Sequence, residues 1–366
     1  MIVIGADTHK STHALAAVDA GTGQLLSERQ ILASDGGHID ALRWARGLGD
    51  ELVWAIEDCR QVSHRLERAL VAGGERVLRV APKMMGASRR GERERGKSDQ
   101  IDARAIARAV LREGVERFPT AFLDERAAEI RLLSDHRDAL VVERTRLMNR
   151  LRWNLVILDP VLEAKLPSRK LDYPEQLRRV TRRLNAMPRT ARVRIALTQA
   201  RQIAALTREA EALKRELRDL VKLHSPHLLA ETGCGPLTAA ILIGQTAGAE
   251  RFATDAQFAR IAGVAPIPVS SGRRDRYRLD RGGNRQLNRA LHIIAVTRGQ
   301  RDPASRAYLQ RKEAEGKSRM EALRCLKRQL ARHFHRLLLC HEPPSGGYAP
   351  ERARRQSDRS GCVRAT

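Results

Sequence analysis

Aromatic residues are scarce in this 366-residue chain, which contains only 3 Trp, 4 Tyr and 5 Phe. Stacking of bases on aromatic side chains is therefore not expected to dominate any contact with nucleic acid. Long apolar runs are also missing, because no stretch approaches the roughly 18 residues that a membrane span needs. No amphipathic helix with aromatic anchors stands out either, so we expect a protein that does not bind membranes.

Cysteine is rare, and its few copies form no pattern. They occur without a Cys-x-x-Cys pair or a Cys/His cluster, which excludes the common zinc-site spacings. The N-terminus shows no charged segment followed by a signal-like apolar stretch. We therefore predict a cytoplasmic protein whose five cysteines are reduced thiols, namely Cys59, Cys234, Cys325, Cys340 and Cys362.

Acidic residues are outnumbered by basic ones. The chain has 68 Lys or Arg against 43 Asp or Glu, a formal net charge of +25. An excess of this size predicts attraction to a polyanion, most commonly nucleic acid, through contacts of Arg and Lys with phosphates. A Gly- and Arg-rich segment at residues 83–97 is either a solvated loop or a clamp on a nucleic-acid backbone. Its arginines are Arg89, Arg90, Arg93 and Arg95.

Four carboxylates occupy positions from which they can converge. Asp7 and Glu57 each follow an apolar run that is predicted to be a buried strand, and Asp99 and Asp102 begin a predicted helix. Carboxylate oxygens bind hard divalent cations, so we predict a site for Mg²⁺ or Mn²⁺ that acts on a phosphodiester. Taken singly, Asp7 also suits a turn, Asp99 a helix N-cap and Asp102 the helix dipole.

The chain is predicted to combine an α/β domain with helical regions. Residues 1–122 show the order of a ribonuclease H-like domain, with three hairpin-like strands followed by alternating helices and strands. Residues 123–224 contain two long helices with heptad spacing, separated by an irregular, Pro-containing stretch at residues 159–192. The two helices form either an antiparallel hairpin or a dimerising coiled coil, which we favour. Residues 225–340 form a compact, mainly helical region, and residues 341–366 a disordered tail.

A Gly-x-Gly turn between two predicted helices forms a second candidate site. Residues 231–240 read Glu-Thr-Gly-Cys-Gly-Pro-Leu-Thr-Ala-Ala. In a helix-hairpin-helix motif, such a turn directs backbone N–H groups toward a phosphate at the positive N-terminus of the second helix. The alternative is a simple inter-helix turn. In so basic a chain we favour phosphate binding at Gly233, Gly235 and Thr238.

A serine pair in an Arg-rich stretch forms the third candidate site. Ser270-Ser271-Gly272, taken alone, is an ordinary loop tripeptide. A serine can also attack a phosphodiester when neighbouring arginines neutralise the phosphate charge. The arginines expected to contact nucleic acid here are Arg273, Arg274, Arg276 and Arg285.

Seven motifs follow one another in a specific order. They are Gly-Ala-Asp-Thr-His-Lys, Ile-Glu-Asp, Lys-Ser-Asp-Gln-Ile-Asp-Ala, Gly-Cys-Gly-Pro-Leu-Thr-Ala, Ala-Gly-Val-Ala-Pro, Ser-Gly and Gly-Gly-Asn-Arg-Gln-Leu-Asn-Arg-Ala-Leu. Over about residues 1–335, this order resembles the IS-one-ten family of DEDD transposases, which are bridge-RNA-guided recombinases. One departure is Asp58-Cys59, where many members of that family carry a small residue and glycine.

The resemblance implies an architecture, partners and residue roles. It implies a RuvC-like domain, a coiled coil that mediates dimerisation and a C-terminal transposase domain. It also implies a structured guide RNA that pairs with donor and target DNA, and composite sites in a homodimer or tetramer. The family's acids map onto Asp7, Glu57, Asp99 and Asp102, and its serine nucleophile maps onto Ser271, with Ser270 as the ambiguous neighbour.

Three functions remain open at this stage. The leading hypothesis is a DNA recombinase that forms a covalent 5′-phosphoserine intermediate beside acids that bind Mg²⁺. The second is a RuvC-like junction nuclease in which metal-activated water cuts and Ser271 is structural. The third is a non-catalytic nucleic-acid-binding protein that uses its basic surface and the hairpin. Metal removal separates the third function from the others, and trapping protein on DNA separates the first two.

Overall fold

A computed structural model describes residues 1–57, 60–80, 98–121, 124–268, 277–278 and 282–339. Several sequence predictions lie outside these described residues and stay predictions. They concern the tail at residues 341–366, the serines Ser270 and Ser271, and the arginines Arg89, Arg90, Arg93, Arg95, Arg273, Arg274 and Arg276.

The N-terminal part of the chain forms one mixed sheet of five strands. The elements are β1 (Ile2–Thr8), β2 (Thr12–Asp19), β3 (Leu25–Leu32), α1 (Asp35–Arg46), β4 (Leu52–Glu57), α2 (Arg60–Ala72) and β5 (Arg76–Val80). The strand order is β3-β2-β1-β4-β5, in which β1 to β3 form an antiparallel meander and β4 and β5 continue parallel to β1. This order agrees with the ribonuclease H-like pattern predicted from the sequence.

Both faces of the sheet are covered by helices. Alternate residues of β1 point to opposite faces, so Ile4 packs into the cluster that includes Leu66 of α2, and Val3 into another. The second cluster includes Ile106 of helix α3 (Asp99–Glu113). Helix α3 approaches β1 closely because Gly5 has no side chain, and an added Cβ would lie 2.0 Å from the carbonyl oxygen of Ala103.

Gly5→Ala is therefore expected to push α3 away from β1. Overpacking of this kind typically costs about 1–3 kcal/mol, and urea unfolding measures the loss. The control is Gly36→Ala in α1, where a Cβ would meet no heavy atom within 4 Å. Equal stability of the two variants would contradict the close approach of α3 to the sheet.

Two long helices form an antiparallel hairpin within the chain. Helix α4 (Glu125–Leu158) precedes two short helices, α5 (Pro160–Ala164) and α6 (Pro174–Asn185), and α7 (Ala191–His224) returns along it. The pairing runs from His136–Glu209, 3.4 Å, to a hydrogen bond of 3.0 Å between Asn154 and Gln199. The heptad residues thus pair within one chain, which is the first of the two predicted alternatives. Dimerisation stays a prediction.

The prediction that residues 159–192 are irregular was wrong. Both α5 and α6 begin with proline at the first turn, where the missing N–H costs no helical hydrogen bond. Proline therefore starts these helices instead of breaking them. The spacing of Leu177, Val180 and Leu184 places all three on one buried face of α6.

The C-terminal part of the described chain is mainly helical, as predicted. Helix α9 (Pro236–Thr246) is buried along most of its length. Its residue Gly244 lets it approach α4, because a Cβ added there would lie 2.7 Å from the Cα of Arg131. No helix among the described residues is long and apolar enough to cross a membrane. The elements are α8 (Pro226–Ala230), α9 (Pro236–Thr246), α10 (Asp255–Ile261), β6 (Ile267–Pro268), β7 (Tyr277–Arg278), α11 (Arg285–Arg301), α12 (Pro303–Ala314) and α13 (Arg319–Leu339).

Candidate active site

Two of the predicted acids lie at the same edge of the sheet. Strands β1 and β4 are parallel, with Ala6 opposite Ile56, so their carboxyl ends bring Asp7 and Glu57 to neighbouring positions. Asp7 is two residues beyond Gly5, whose face is covered by α3. Glu57 is likewise two residues beyond Ala55, which packs in the cluster that contains Ile106 of α3, so it points to the same face. Both acids therefore share the face of the sheet that α3 covers.

The other two acids lie in the first turn of α3. Ser98, not Asp99, is the N-cap, since its hydroxyl accepts a hydrogen bond of 3.3 Å from the N–H of Ile101. The N-cap alternative for Asp99 was therefore wrong. Asp99 is half exposed, whereas Asp102 is buried with 7% exposure. Three residues apart, they face the same side of the helix.

His9 joins this site although the sequence analysis did not predict it. Its Nε2 lies 3.1 Å from Oδ2 of Asp7 and 3.3 Å from Oδ1 of Asp99. The imidazole thus connects the strand acid to the helix acid. A usable signal was present in the motif Asp-Thr-His, because residues two apart in an extended chain point to the same side.

The structure brings some of the predicted acids closer together than others. Asp7, His9 and Asp99 each offer one ligand atom, and these atoms all lie within 4.8 Å of one another. Within the described part of the chain, this group includes neither Asp102 nor Glu57. Asp102 is close enough for its charge to act on Asp7, and Glu57 shares the same face of the sheet.

The environment disfavours the ionised form of Asp7. Burial raises the pKa of this carboxyl above its ordinary value of 3.8, and the negative charges of Asp102 and Asp99 raise it further. His9 opposes them by charge and by its hydrogen bond. A cation among these carboxylates would offset both the cost of burying the negative charge of Asp7 and its repulsion by Asp102 and Asp99.

The donor set fits a divalent cation. Carboxylate oxygens on a strand end and a helix start suit hard ions such as Mg²⁺ or Mn²⁺. The imidazole of His9 is a possible nitrogen ligand or, when protonated, a counter-charge to both carboxylates. The repulsion around Asp7 is the feature of this structure that favours a bound cation.

Comparisons with known proteins identify the family. Residues 4–160 match the family model for IS110 transposases of the DEDD type, and residues 226–310 match the model for transposases of the IS116/IS110/IS902 family. The 43.6 kDa protein of insertion element IS110 from Streptomyces coelicolor is 31% identical over 277 residues, which is 64% of this chain and 68% of that protein. The chain belongs to the IS110 family of transposases.

Two further relatives of this transposase come from other insertion elements. The 44.8 kDa protein of IS116 from Streptomyces clavuligerus is 29% identical over 90% of this chain and 92% of its own length. The 42 kDa protein of IS900 from Mycobacterium paratuberculosis is 26% identical over 89% of this chain and 92% of its own length. A solved structure of T. thermophilus RuvC with a Holliday junction substrate is similar at 18% identity and a TM-score of 0.26. The similar region covers 33% of this chain and 99% of the RuvC chain.

The predicted hairpin turn of the transposase lies between α8 and α9. Gly233 has φ +84° and would bring a Cβ to 3.1 Å from the carbonyl oxygen of Ile294, so it suits only glycine. Gly235 is the exposed N-cap of α9, while the side chain of Thr238 is buried. Arg298 anchors the turn by donating to the carbonyl oxygen of Thr232 at 3.0 Å. Phosphate binding here stays a prediction, and Gly235 is the most open of the three positions.

Two motif residues, Gly283 and Asn288, contact residues 262–263, which precede the predicted serine in the sequence. Asn288 donates to the carbonyl oxygens of Ala262 and Gly263 at 3.1 and 2.8 Å. Gly283 packs directly on Gly263, where a Cβ would lie 2.3 Å from its Cα. Arg285, a predicted nucleic-acid contact, is exposed at the start of α11. These motif residues thus have a structural role that the sequence analysis did not predict.

Proposed function

We propose that this IS110-family transposase is a recombinase that cuts and rejoins the DNA of its insertion element. The observation that carries the proposal is the group of Asp7, His9 and Asp99, with Glu57 and Asp102 on the same face, at the carboxyl edge of the sheet. A divalent cation held there would stabilise negative charge on a phosphodiester. The four acids that we assign to this site are Asp7, Glu57, Asp99 and Asp102.

The chain's own residues prepare this site. The strand fixes Asp7, and the Ser98 cap fixes the first turn of α3 and with it Asp99. His9 holds both carboxylates in place through contacts of 3.1 and 3.3 Å. Because its ring can also carry a proton, His9 is suited to accept or supply one near the reacting phosphate.

For the covalent step we assign Ser271, on the strength of the family resemblance. Its Oγ would attack phosphorus, forming an O–P bond while the bond from phosphorus to the 3′ oxygen breaks. The serine proton leaves with the released 3′ hydroxyl. Rejoining reverses these bonds with a different 3′ hydroxyl. Arg273, Arg274 and Arg276 would neutralise the phosphate during both steps.

The partners we propose are donor DNA, target DNA and a structured guide RNA that pairs with both. The net charge of +25 supports binding to such polyanions. Composite sites would combine the acids of one subunit with the serine of another, so we propose a homodimer or tetramer.

The proposal is tested by incubating the full chain with element DNA and flanking RNA, in Mg²⁺ or in chelator. We expect cleavage and a protein–DNA adduct on a denaturing gel with Mg²⁺, and DNA binding without cleavage in chelator. Metal-dependent cleavage without an adduct would favour the water-using junction nuclease. Binding without cleavage in both conditions would favour the non-catalytic protein.

A further inference from the structure

The tip of the helical hairpin carries a concentrated positive charge. Residues 165–194, which we call the basic tip, contain ten Lys or Arg and two acids, a net charge of +8. The opposite end of α7, at residues 205–224, has five basic and four acidic residues and is nearly neutral. The charge is thus a property of the tip and not of the hairpin as a whole.

Helix α6 displays part of this charge on one face. Its apolar residues Leu177, Val180 and Leu184 are buried against the hairpin core. Arg178, Arg179 and Arg182 alternate with them and are exposed. Spacings of three and four residues place these arginines side by side on the solvent face.

Within the described residues, these three arginines are not paired with a carboxylate. No Asp or Glu oxygen lies within 4.0 Å of any of them in the described part of the chain, whereas the neighbouring Arg183 pairs with Asp159 at 2.6 Å. Asp172, one of the two acids of the basic tip, is engaged by Arg144 at 3.0 Å. The arginines are therefore available to an external anion.

The geometry excludes one class of anionic partner. A helix that lies on a membrane inserts an apolar face between lipids. The apolar face of α6 is already covered, with Leu177 6% exposed and Val180 and Leu184 fully buried. A polyanion that needs only surface contact with arginine, such as a nucleic-acid backbone, fits this helix.

We propose that the basic tip binds the phosphate backbone of duplex DNA at a distance from the acidic site. This proposal rests on the proposed action on DNA. Helix α4 starts at the N-terminal domain, where Glu125 pairs with Arg68 at 2.7 Å, and its 34 residues extend about 50 Å to the tip. At 3.4 Å per base pair, a duplex that reaches both ends of the hairpin needs about 15 base pairs or more. The basic tip binds the part of the duplex that lies about 15 base pairs from the acidic site, and it does so without contacting the bases.

The test measures the affinity of the full chain for a labelled duplex of ~40 base pairs, long enough by the ~15-base-pair estimate above. Salt is varied in chelator, so that no cleavage occurs. Each phosphate contact contributes about 0.9 to the slope of log affinity against log salt. This slope is negative, and the triple variant Arg178→Gln, Arg179→Gln, Arg182→Gln should reduce its magnitude by about 2 to 3. Between ~50 and ~200 mM salt, wild-type affinity should fall roughly 40-fold more than that of the variant.

Two control variants make the result specific. Arg208→Gln, Arg215→Gln, Lys222→Gln removes the same charge from exposed positions of the nearly neutral end of α7 and should keep the wild-type slope. Changing the three arginines of α6 to lysine keeps the charge and should also keep it. Unchanged thermal unfolding confirms that each variant is folded.

Three results would overturn the proposal. The first is a wild-type slope in the α6 glutamine variant. The second is an equal loss in the α7 control, which would show a general charge effect. The third comes from repeating the titration with a labelled, folded RNA hairpin: a loss confined to that RNA would make the tip an RNA-binding surface. Since no cleavage is measured, failure here leaves the proposed chemistry untouched.

Discussion

Asp7→Asn is expected to abolish DNA cleavage while leaving the fold intact. Asp7 is the buried member of the group that also contains His9 and Asp99, so its loss would remove one of the carboxylates that we propose as metal ligands. Charge stabilisation by a cation is worth several kcal/mol, so the rate should fall at least about a thousandfold. A gel assay of strand cleavage with saturating Mg²⁺ measures this loss. We expect the same loss for Asp102→Asn.

The same substitution should stabilise the metal-free protein at neutral pH. The pKa of Asp7 in the folded state is raised above 3.8 by burial and by Asp102 and Asp99. A carboxyl whose pKa is higher in the folded than in the unfolded protein stabilises the fold at low pH, where it is protonated in both states. This stabilisation is lost as the pH rises through the folded-state pKa. Wild type therefore carries an unfavourable charge at pH 7 that Asn lacks. Thermal unfolding in chelator should show a gain that shrinks as the pH falls toward 4.

The matched control is Asp40→Asn, an exposed acid of α1 that lies 3.8 Å from Arg43. It removes the same charge at a residue outside the group of Asp7, His9 and Asp99 and should cleave DNA at the wild-type rate. Wild-type activity in Asp7→Asn would show that the metal site is assigned wrongly. A loss of activity together with a cooperative loss of fold would show a structural role only.

Ser271→Ala is expected to eliminate the covalent protein–DNA adduct without weakening nucleic-acid binding. A serine hydroxyl attacks through its own Oγ, and alanine lacks that atom, so the bond to phosphorus cannot form at this position. The arginines that we propose to contact phosphate are unchanged, so affinity for DNA and RNA should match wild type. The assay mixes protein, DNA, RNA and Mg²⁺ and detects the adduct on a denaturing gel.

Ser270→Ala serves as the neighbouring control and should form adduct normally. An adduct that survives in Ser271→Ala but vanishes in Ser270→Ala would move the nucleophile by one position. Cleavage by wild type without any adduct would instead support the water-using nuclease, in which the acids alone carry the reaction.

Local sequence patterns were sufficient to predict the strand ends and the helix start that position the acids in the N-terminal domain. Apolar runs at β1 and β4 end in Asp7 and Glu57, and parallel strands bring such ends to one edge whatever the remaining sequence is. The placement of Asp99 and Asp102 at a helix start also followed from short-range signals. Family membership was equally accessible, because the order of short motifs survives where overall identity is near 30%.

The sequence by itself therefore determined the succession of strands and helices in the N-terminal domain, the position of the acids on those elements and the family of this protein, because these depend on local periodicity and motif order. Only the tertiary structure decided that His9 bridges Asp7 and Asp99, since that contact requires α3 to reach the sheet over Gly5. It also decided that α4 and α7 pair within one chain, because heptad spacing specifies an apolar seam and not the helix that covers it. The exposure of Arg178, Arg179 and Arg182 on α6 depends in the same way on which face of that helix the hairpin buries.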